Sequence, residues 1–193
     1  HTPRRRQRQM CIRDSLNIIL VGVGLCIVCG AVISTVAVSL RDQQEQNVIF
    51  DQQSKIIDAA RLLEVYPSSQ EALASIEEVV VNLNDGQPSG IPPQQYDLDS
   101  ILRDPSQHTV LNGSEDIAMI SVRENLSKVY IEYRNNELKT LILPVRGYGL
   151  WGTLYGYLAL DSDLNTIVGL EFYKHKETPG SVSYTHLRAH ETV

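Results

Sequence analysis

The spacing of apolar residues along this chain changes three times, and each change predicts a different element. Leu16 to Leu40, LNIILVGVGLCIVCGAVISTVAVSL, carries no charged residue. About 20 apolar residues are enough to carry a helix across the roughly 30 Å hydrocarbon core of a bilayer, so residues 16–40 are expected to be a transmembrane helix. From Gln43 to Leu63 the apolar positions Ile49, Phe50, Ile56, Ile57, Ala60 and Leu63 recur at helical spacing. An amphipathic helix that continues or restarts beyond the membrane, standing the domain off the bilayer, is expected there. A further helix is expected over Ser69 to Leu83, with Ser68 and Glu71 at capping-box spacing and Leu73, Ile76, Val79, Val80 and Leu83 as its stripe. Asn84 to Pro93, NDGQPSGIPP, has no period and reads as a loop.

After His108 the period becomes two. Ile117, Met119 and Ser121 open the alternation. Val129, Ile131 and Tyr133 continue it to a polar turn at Arg134 to Glu137, and Leu138, Thr140 and Ile142 return. A second hairpin is expected from Thr153–Leu160, the turn DSDLNT (Asp161 to Thr166) and Ile167–Tyr173. The pattern predicts an α+β protein in which one transmembrane helix precedes a domain with helices and an antiparallel sheet. Its expected divisions are residues 16–40 for the membrane helix, 41–115 for a juxtamembrane and helical region, and 116–180 for the antiparallel part.

The two ends read differently. MCIRDS, Met10 to Ser15, and VSYTHL, Val182 to Leu187, are what the two strands of one short sequencing-adapter DNA encode. Residues 1–15 and 181–193 are therefore expected to be non-native. The competing reading is a basic arm (Arg4, Arg5, Arg6, Arg8) that meets anionic lipid or nucleic acid, with a metal-binding tail (His186, His190). The whole chain has a net charge of -6. Setting the N-terminal arginines aside makes the body more acidic still, which removes electrostatic support for a nucleic-acid partner. Between the two ends, His108 and His175 are the remaining histidines, and no cluster has metal-ligand spacing.

A cleaved secretory signal competes with the membrane helix, since Ala37-Val38-Ser39 resembles a cleavage site, but such apolar regions run to only about 7 to 15 residues. Gly22, Cys26, Gly30 and Ser34 recur every fourth residue and line one helix face with small side chains, as a packing face for a second membrane helix does; ordinary membrane-helix composition produces the same pattern. Cys26 and Cys29 lie in apolar surroundings that disfavour a thiolate.

Candidate chemistry is sparse. Asp161, Asp163 and Asn165 imitate the start of a calcium loop, but Thr166 stands where a Gly is needed and Phe172 where the bidentate Glu belongs, so a solvated turn is expected. GYGLWG, Gly147 to Gly152, sets three glycines around the single Trp. That composition permits close approach of a flat ligand to an aromatic face, but on the residues alone a strand connection with a buried Trp is the favoured reading. ETPG, Glu177 to Gly180, reads as a turn.

The run LPVRGYGLWGTLYGYLALDSDLNTIVGLEFYKHKETPG (Leu143 to Gly180) and the run AVSLRDQQEQNVIFDQQSKII (Ala37 to Ile57) resemble the C-subunit family of the bacterial sodium-translocating NADH:quinone oxidoreductases (Na(+)-NQR), a family with an FMN-binding domain. The resemblance implies a single-pass protein of the bacterial cytoplasmic membrane with its soluble domain on the outer side. It also implies FMN, attached through its phosphate to a threonine in a Ser-Gly-Ala-Thr motif near the C-terminus. That motif does not occur in this sequence, and where family members continue with Leu-Gly-Gly this chain has VSYTHL.

By the same resemblance Leu150, Trp151, Thr178, Pro179 and Gly180 line the flavin region. Leu150 and Trp151 would give apolar contact and Thr178 and the Gly180 backbone would approach the ring edge, while Glu177 would fix the turn. No catalytic acid or base is implied, because the flavin carries the electron. The implied function is electron relay between flavins during NADH oxidation by ubiquinone coupled to sodium export. The implied partners are the other membrane subunits and a flavin transferase. Two alternatives stand beside it: the G subunit of the related Rnf electron-transport complex, and a membrane-anchored interaction or sensor domain without a cofactor.

Overall fold

A computed structural model describes residues 3–178, with side chains from Asn17 onward. The chain divides into two units, residues 1–49 and 50–193. In the first unit the long helix α1 (Pro3–Ala59) carries the uncharged stretch. Asn17–Ala59 is long and apolar enough to cross a membrane, and its apolar side chains from Ile18 to Leu40 are exposed. The polar side chains there turn inward on the helix itself: Thr35 Oγ1 donates to the Ala31 carbonyl at 2.7 Å and Ser39 Oγ to the Val36 carbonyl at 2.9 Å. Satisfying hydroxyls within the helix is what an apolar solvent requires.

The second unit begins with the last turns of α1. Ile56, Ile57 and Ala59 are buried, while Ile49 and Phe50, expected on the same stripe, are exposed. The helix stops where Arg61 enters the left-handed region (φ 51°), and a short 3-10 turn, Leu62–Glu64, follows. That left-handed residue rotates the stripe, so Leu62 is buried and Leu63 is exposed.

The helix expected over Ser69 to Leu83 is instead a short helix followed by a strand. The cap is as expected: the Ser68 side chain accepts from the Glu71 N–H and starts α2 (Ser69–Ala74). The next residues form β1 (Ile76–Asn82). Val79, Val80 and Val81 are β-branched and lose side-chain freedom in a helix, and here a partner strand is available in full register, from Ile76 opposite Glu132 to Asn82 opposite Leu126.

Helix α3 (Leu98–Arg103) is capped by Asp97, and the small strands β2 (His108–Val110) and β3 (Val122–Glu124) pair with each other. The alternation expected from Ile117 is not a strand. Asp116 folds the segment into a turn by accepting the Ile120 and Ser121 N–H groups at 2.8 and 2.7 Å, and it leaves Ile117 92% exposed.

Both expected hairpins are present. Strands β4 (Leu126–Arg134), β5 (Glu137–Tyr148), β6 (Thr153–Asp161) and β7 (Ile167–Lys174) form an antiparallel meander. With β1 at its edge they make a five-stranded sheet of order β1-β4-β5-β6-β7. The β4–β5 turn is Asn135-Asn136, both at positive φ, a conformation that asparagine tolerates and that matches strand twist. In the β6–β7 turn the Asp163 carboxylate accepts the Asn165 and Thr166 N–H groups and the Thr166 hydroxyl, so it serves the turn itself.

One face of the sheet carries the core, in which Tyr130, Ile142, Tyr157 and Ala159 pack with Ile56, Ile57, Ala59, Leu62 and Ala72. Beside them Glu132 is wholly buried. It accepts from Tyr66 Oη at 2.9 Å, Thr140 Oγ1 at 2.8 Å and Arg134 Nη2 at 2.6 Å. Burial pushes the Glu132 carboxyl up, but these three donors outweigh it and hold the group below its ordinary value. A lowered folded value contributes stability above the ordinary glutamate range and loses it as pH falls through the folded value.

Replacing Glu132 by Ala is therefore expected to cost about 2–3 kcal/mol at neutral pH, read by chemical denaturation, because three donors lose their acceptor. Glu132→Gln should cost less and should flatten the fall in midpoint on acidification below about pH 4.

Candidate functional site

Among the expected site residues, Leu150, Trp151 and Thr178 are described, and they lie at one end of the sheet. There the β5–β6 connection, Gly149–Gly152, closes on itself with the Gly149 N–H donating to the Gly152 carbonyl at 2.8 Å. The strand pair Tyr148–Thr153 seals its base. A hairpin this tight leaves its central side chains no interior to enter, and Leu150 and Trp151 are 68% and 63% exposed. GYGLWG is thus the strand connection that the residues suggested, but the expected burial of its Trp is overturned.

After β7 the chain runs alongside this loop. Glu177 is buried, and its Oε1 accepts the Trp151 N–H at 3.2 Å. Two of the glycines are needed for this closeness. A methyl at Gly149 would come within 2.9 Å of Glu177 Oε1 and 3.0 Å of Leu154 Cγ, and one at Gly152 within 2.7 Å of Lys176 Cδ. Glu177 thus joins the two loops to each other, beyond the turn it was expected to fix. Thr178 follows with its side chain exposed. The structure therefore brings Leu150, Trp151 and Thr178 to one end of the domain; Pro179 and Gly180 lie outside the described residues, as does the 181–193 segment.

Two further features were not among the expected site residues. Tyr148, 54% exposed, donates its N–H to the Ala118 carbonyl at 2.8 Å, which sets the turn bearing Ile117 and Met119 next to the hairpin. On the helix-bearing face, a cavity of about 240 Å³ is lined by five tyrosines from four segments (Tyr96, Tyr130, Tyr155, Tyr157, Tyr173) and by Arg146. Tyr157 stacks on Tyr173 with centroids 4.7 Å apart and meets Tyr130 edge-on at 5.6 Å. Arg146 is held by Glu124 through Nε at 3.1 Å and Nη2 at 2.7 Å. Burial raises the Tyr130, Tyr157 and Tyr173 phenols and pushes Tyr96 up to about 12, so all four keep their protons at neutral pH and act as neutral donors. The recurrence of tyrosine every second residue at 155 and 157 is the signal that could have shown it.

The FMN-binding domain family matches residues 149–191, starting at this hairpin loop. The C subunit of the Na(+)-translocating NADH-quinone reductase from Pseudomonas aeruginosa is 42% identical over 167 residues, covering 84% of this chain and 64% of its own length. The C subunit from Vibrio vulnificus is 38% identical over 173 residues, covering 89% and 68%. The crystal structure of Shewanella oneidensis NqrC superposes with a TM-score of 0.59 at 29% identity, covering 66% of this chain and 60% of that one. The chain belongs to the NqrC family. It spans just under two thirds of the length of the Pseudomonas relative.

The residues present fit FMN in their chemistry. The family's flavin needs an apolar wall and nearby donors, and the hairpin tip offers exposed Leu150 and Trp151 on a backbone held fixed by Glu177, with the Thr178 hydroxyl close in sequence to that anchor.

Because Trp151 is the single tryptophan, its emission reports this loop alone. Glu177→Ala is expected to speed hydrogen exchange at the Trp151 amide about five- to tenfold and to shift its emission to the red, since one net hydrogen bond of about 1–1.5 kcal/mol is removed. Unchanged exchange would show that Glu177 does not hold the loop.

Proposed function

We propose that the complete protein is the electron-relay flavoprotein subunit of a sodium-translocating NADH:quinone reductase. It would be anchored in the bacterial cytoplasmic membrane by residues 16–40, with its soluble domain on the outer side. Electrons would pass between flavins while NADH is oxidised by another subunit, ubiquinone is reduced and sodium is exported. The observation that carries this reading is the hairpin tip: the FMN-binding family match begins at Gly149, where two large apolar side chains stand in solvent and are held by a buried carboxylate from the segment after β7. Apolar side chains kept exposed on a fixed loop are a binding surface rather than a packing surface.

In this reading Leu150 and Trp151 give the flat apolar contact, Thr178 and the backbone at Pro179 and Gly180 approach the polar edge of the ring, and Glu177 orients both loops. FMN supplies the redox chemistry, accepting and returning one or two electrons. The residues of this chain bind it, orient it and shield one of its faces from water. Covalent attachment to a downstream threonine by a flavin transferase belongs to the complete protein, as do contacts with the other membrane subunits.

The complete subunit, produced with its flavin transferase, is expected to give a fluorescent band on a denaturing gel under ultraviolet light. Trp151→Ala in that protein should shift the flavin absorption maximum and its midpoint potential. A dark band would remove covalent FMN from the reading, and an unchanged spectrum and potential would remove Trp151 from the site.

A further inference from the structure

The turn from Asp116 to Ser121 holds a conformation that its own burial does not explain. Met119 (φ 51°) and Ser121 (φ 63°) both stand in the left-handed region, which residues with a β-carbon seldom occupy. The Asp116 carboxylate keeps them there through the Ile120 and Ser121 N–H groups, and the Met119 N–H donates to the Asp116 carbonyl at 3.1 Å. Met119 and Ser121 bury nothing in return, since both are exposed. The result is that Ile117 and Met119 stand in solvent on a fixed backbone, as Leu150 and Trp151 do. Strained backbone of this kind gathers where a surface is shaped for a ligand.

The turn meets β5 at two successive residues. Besides the Tyr148 hydrogen bond to the Ala118 carbonyl, a β-carbon placed on Gly147 would lie 3.8 Å from Ala118 Cβ, an ordinary contact. Leu150 is two residues beyond Tyr148, so their Cα atoms lie within about 7 Å of each other. Ile117, Met119, Tyr148, Leu150 and Trp151 are thus exposed on two neighbouring turns, one pinned by Asp116 and the other by Glu177. Apolar side chains exposed singly are ordinary, but a group of five on pinned turns marks a binding surface.

We propose that the Asp116–Ser121 turn is a second wall of the flavin site, in which Ile117 and Met119 contact the apolar, methyl-bearing end of the FMN ring. The proposal rests on the function proposed above and adds residues that lie outside the FMN-binding family match, which begins at 149, next to Tyr148. The chemistry of the two sides divides accordingly. Thr178 offers a hydroxyl to the polar edge of the ring, whereas this turn offers an isoleucine and a methionine, the latter able to adapt its shape to a flat surface. Glu115 and Asp116 repel a phosphate, so the turn meets the ring and not the phosphate end. Asp116 is a positioning residue that acts through the backbone of the turn.

The test uses the complete subunit produced with its flavin transferase, carrying Ile117→Ser with Met119→Ser, Asp116→Ala, Asp116→Asn or the control Ile167→Ser, an exposed apolar residue at the opposite end of the sheet. A flavin attached downstream stays on the protein when a wall is removed, so its accessibility can be read directly. Binding sites cover about 70–90% of a ligand, and loss of one of two walls should therefore about double the quenching of flavin fluorescence by iodide. The double Ser variant and Asp116→Ala are expected to show this together with a shifted absorption maximum. Asp116→Asn, which keeps an acceptor oxygen, should fall between them and the parent, and Ile167→Ser should change neither readout. The thermal midpoint of the double Ser variant should stay within about 2 °C of the parent, as for exposed positions generally.

A fluorescent band with unchanged quenching in the double Ser variant would overturn this proposal and leave the proposed function standing. Loss of the other membrane subunits on purification, with quenching unchanged, would overturn it too, because a partner protein would then be the occupant. A dark band would count against covalent FMN, and the wall is then read on the present chain. Lumiflavin, the ring system without a phosphate, should quench Trp151 emission, and the double substitution should weaken its binding severalfold; equal binding would overturn the proposal.

Discussion

The last turn of α1 lies directly on β7. At Gly169 the strand backbone touches the carbonyl of Ala59 so closely that a single methyl group would have to occupy the space of that oxygen. Packing at this distance cannot be relaxed by rotating a side chain, so it fixes how far the helix end stands from the sheet. The rest of the helix-bearing face takes its positions from that spacing. Ile56 and Ile57 reach the sheet, Lys55 meets Glu171 at 2.8 Å, and Tyr157 and Tyr173 fill what remains beside them. A larger residue at 169 would lift the helix end and open the cavity side and the core together.

Buried charge on this face is tied down in the same way at two places. Glu132 is enclosed by Tyr66, Thr140 and Arg134, and Glu124 by both ends of the Arg146 guanidinium, whose Nη2 also donates to the Val122 carbonyl at 2.6 Å. Charges out of water are tolerated when every lone pair has a donor, and such networks fix geometry more than they add stability. Arg146 sits on β5 three residues before Gly149, so the strand that enters the hairpin tip is held in place by a side-chain lock as well as by its ladder. The tip can be both exposed and well positioned because of this lock and the Glu177 contact.

The meander was legible because its signals are local. Period-two alternation and polar turns at residues 134–137 and 161–166 require no knowledge of partners, and the expected strands match to within a few residues. The stretch from Ser69 to Leu83 was misread because the cap at Ser68 is a local signal whereas the strand identity of Val79 to Val81 depends on β4, which lies 45 residues or more further on. Helical spacing at Leu73, Ile76, Val80 and Leu83 satisfied the wrong period. Ile117 and Met119 imitated a strand start because the deciding group, the Asp116 carboxylate, acts through backbone hydrogen bonds that leave no mark in the apolar pattern. At the candidate site, GYGLWG pointed to a strand connection and ETPG to a turn, but the Glu177 contact that joins them was not legible, because it links positions 26 residues apart. Exposure of Trp151 was not legible, since composition cannot tell a tryptophan that fills a core from one that waits for a ligand, and of the five tyrosines around the cavity only the pair at 155 and 157 leaves a mark in the linear pattern.

The order of elements in the sheet also bears on how the domain comes together. β4 to β7 are joined in sequence by turns of two to five residues, so three hairpins can close with little loop entropy, each on the microsecond scale typical of hairpins. The contacts that seal them are of the opposite kind: Ala59 meets Gly169 at a sequence separation of 110, and β1 must wait for β4. High sequence separation slows such steps. The domain should therefore assemble as a local meander first, onto which the earliest-synthesised segment, the end of α1, settles last.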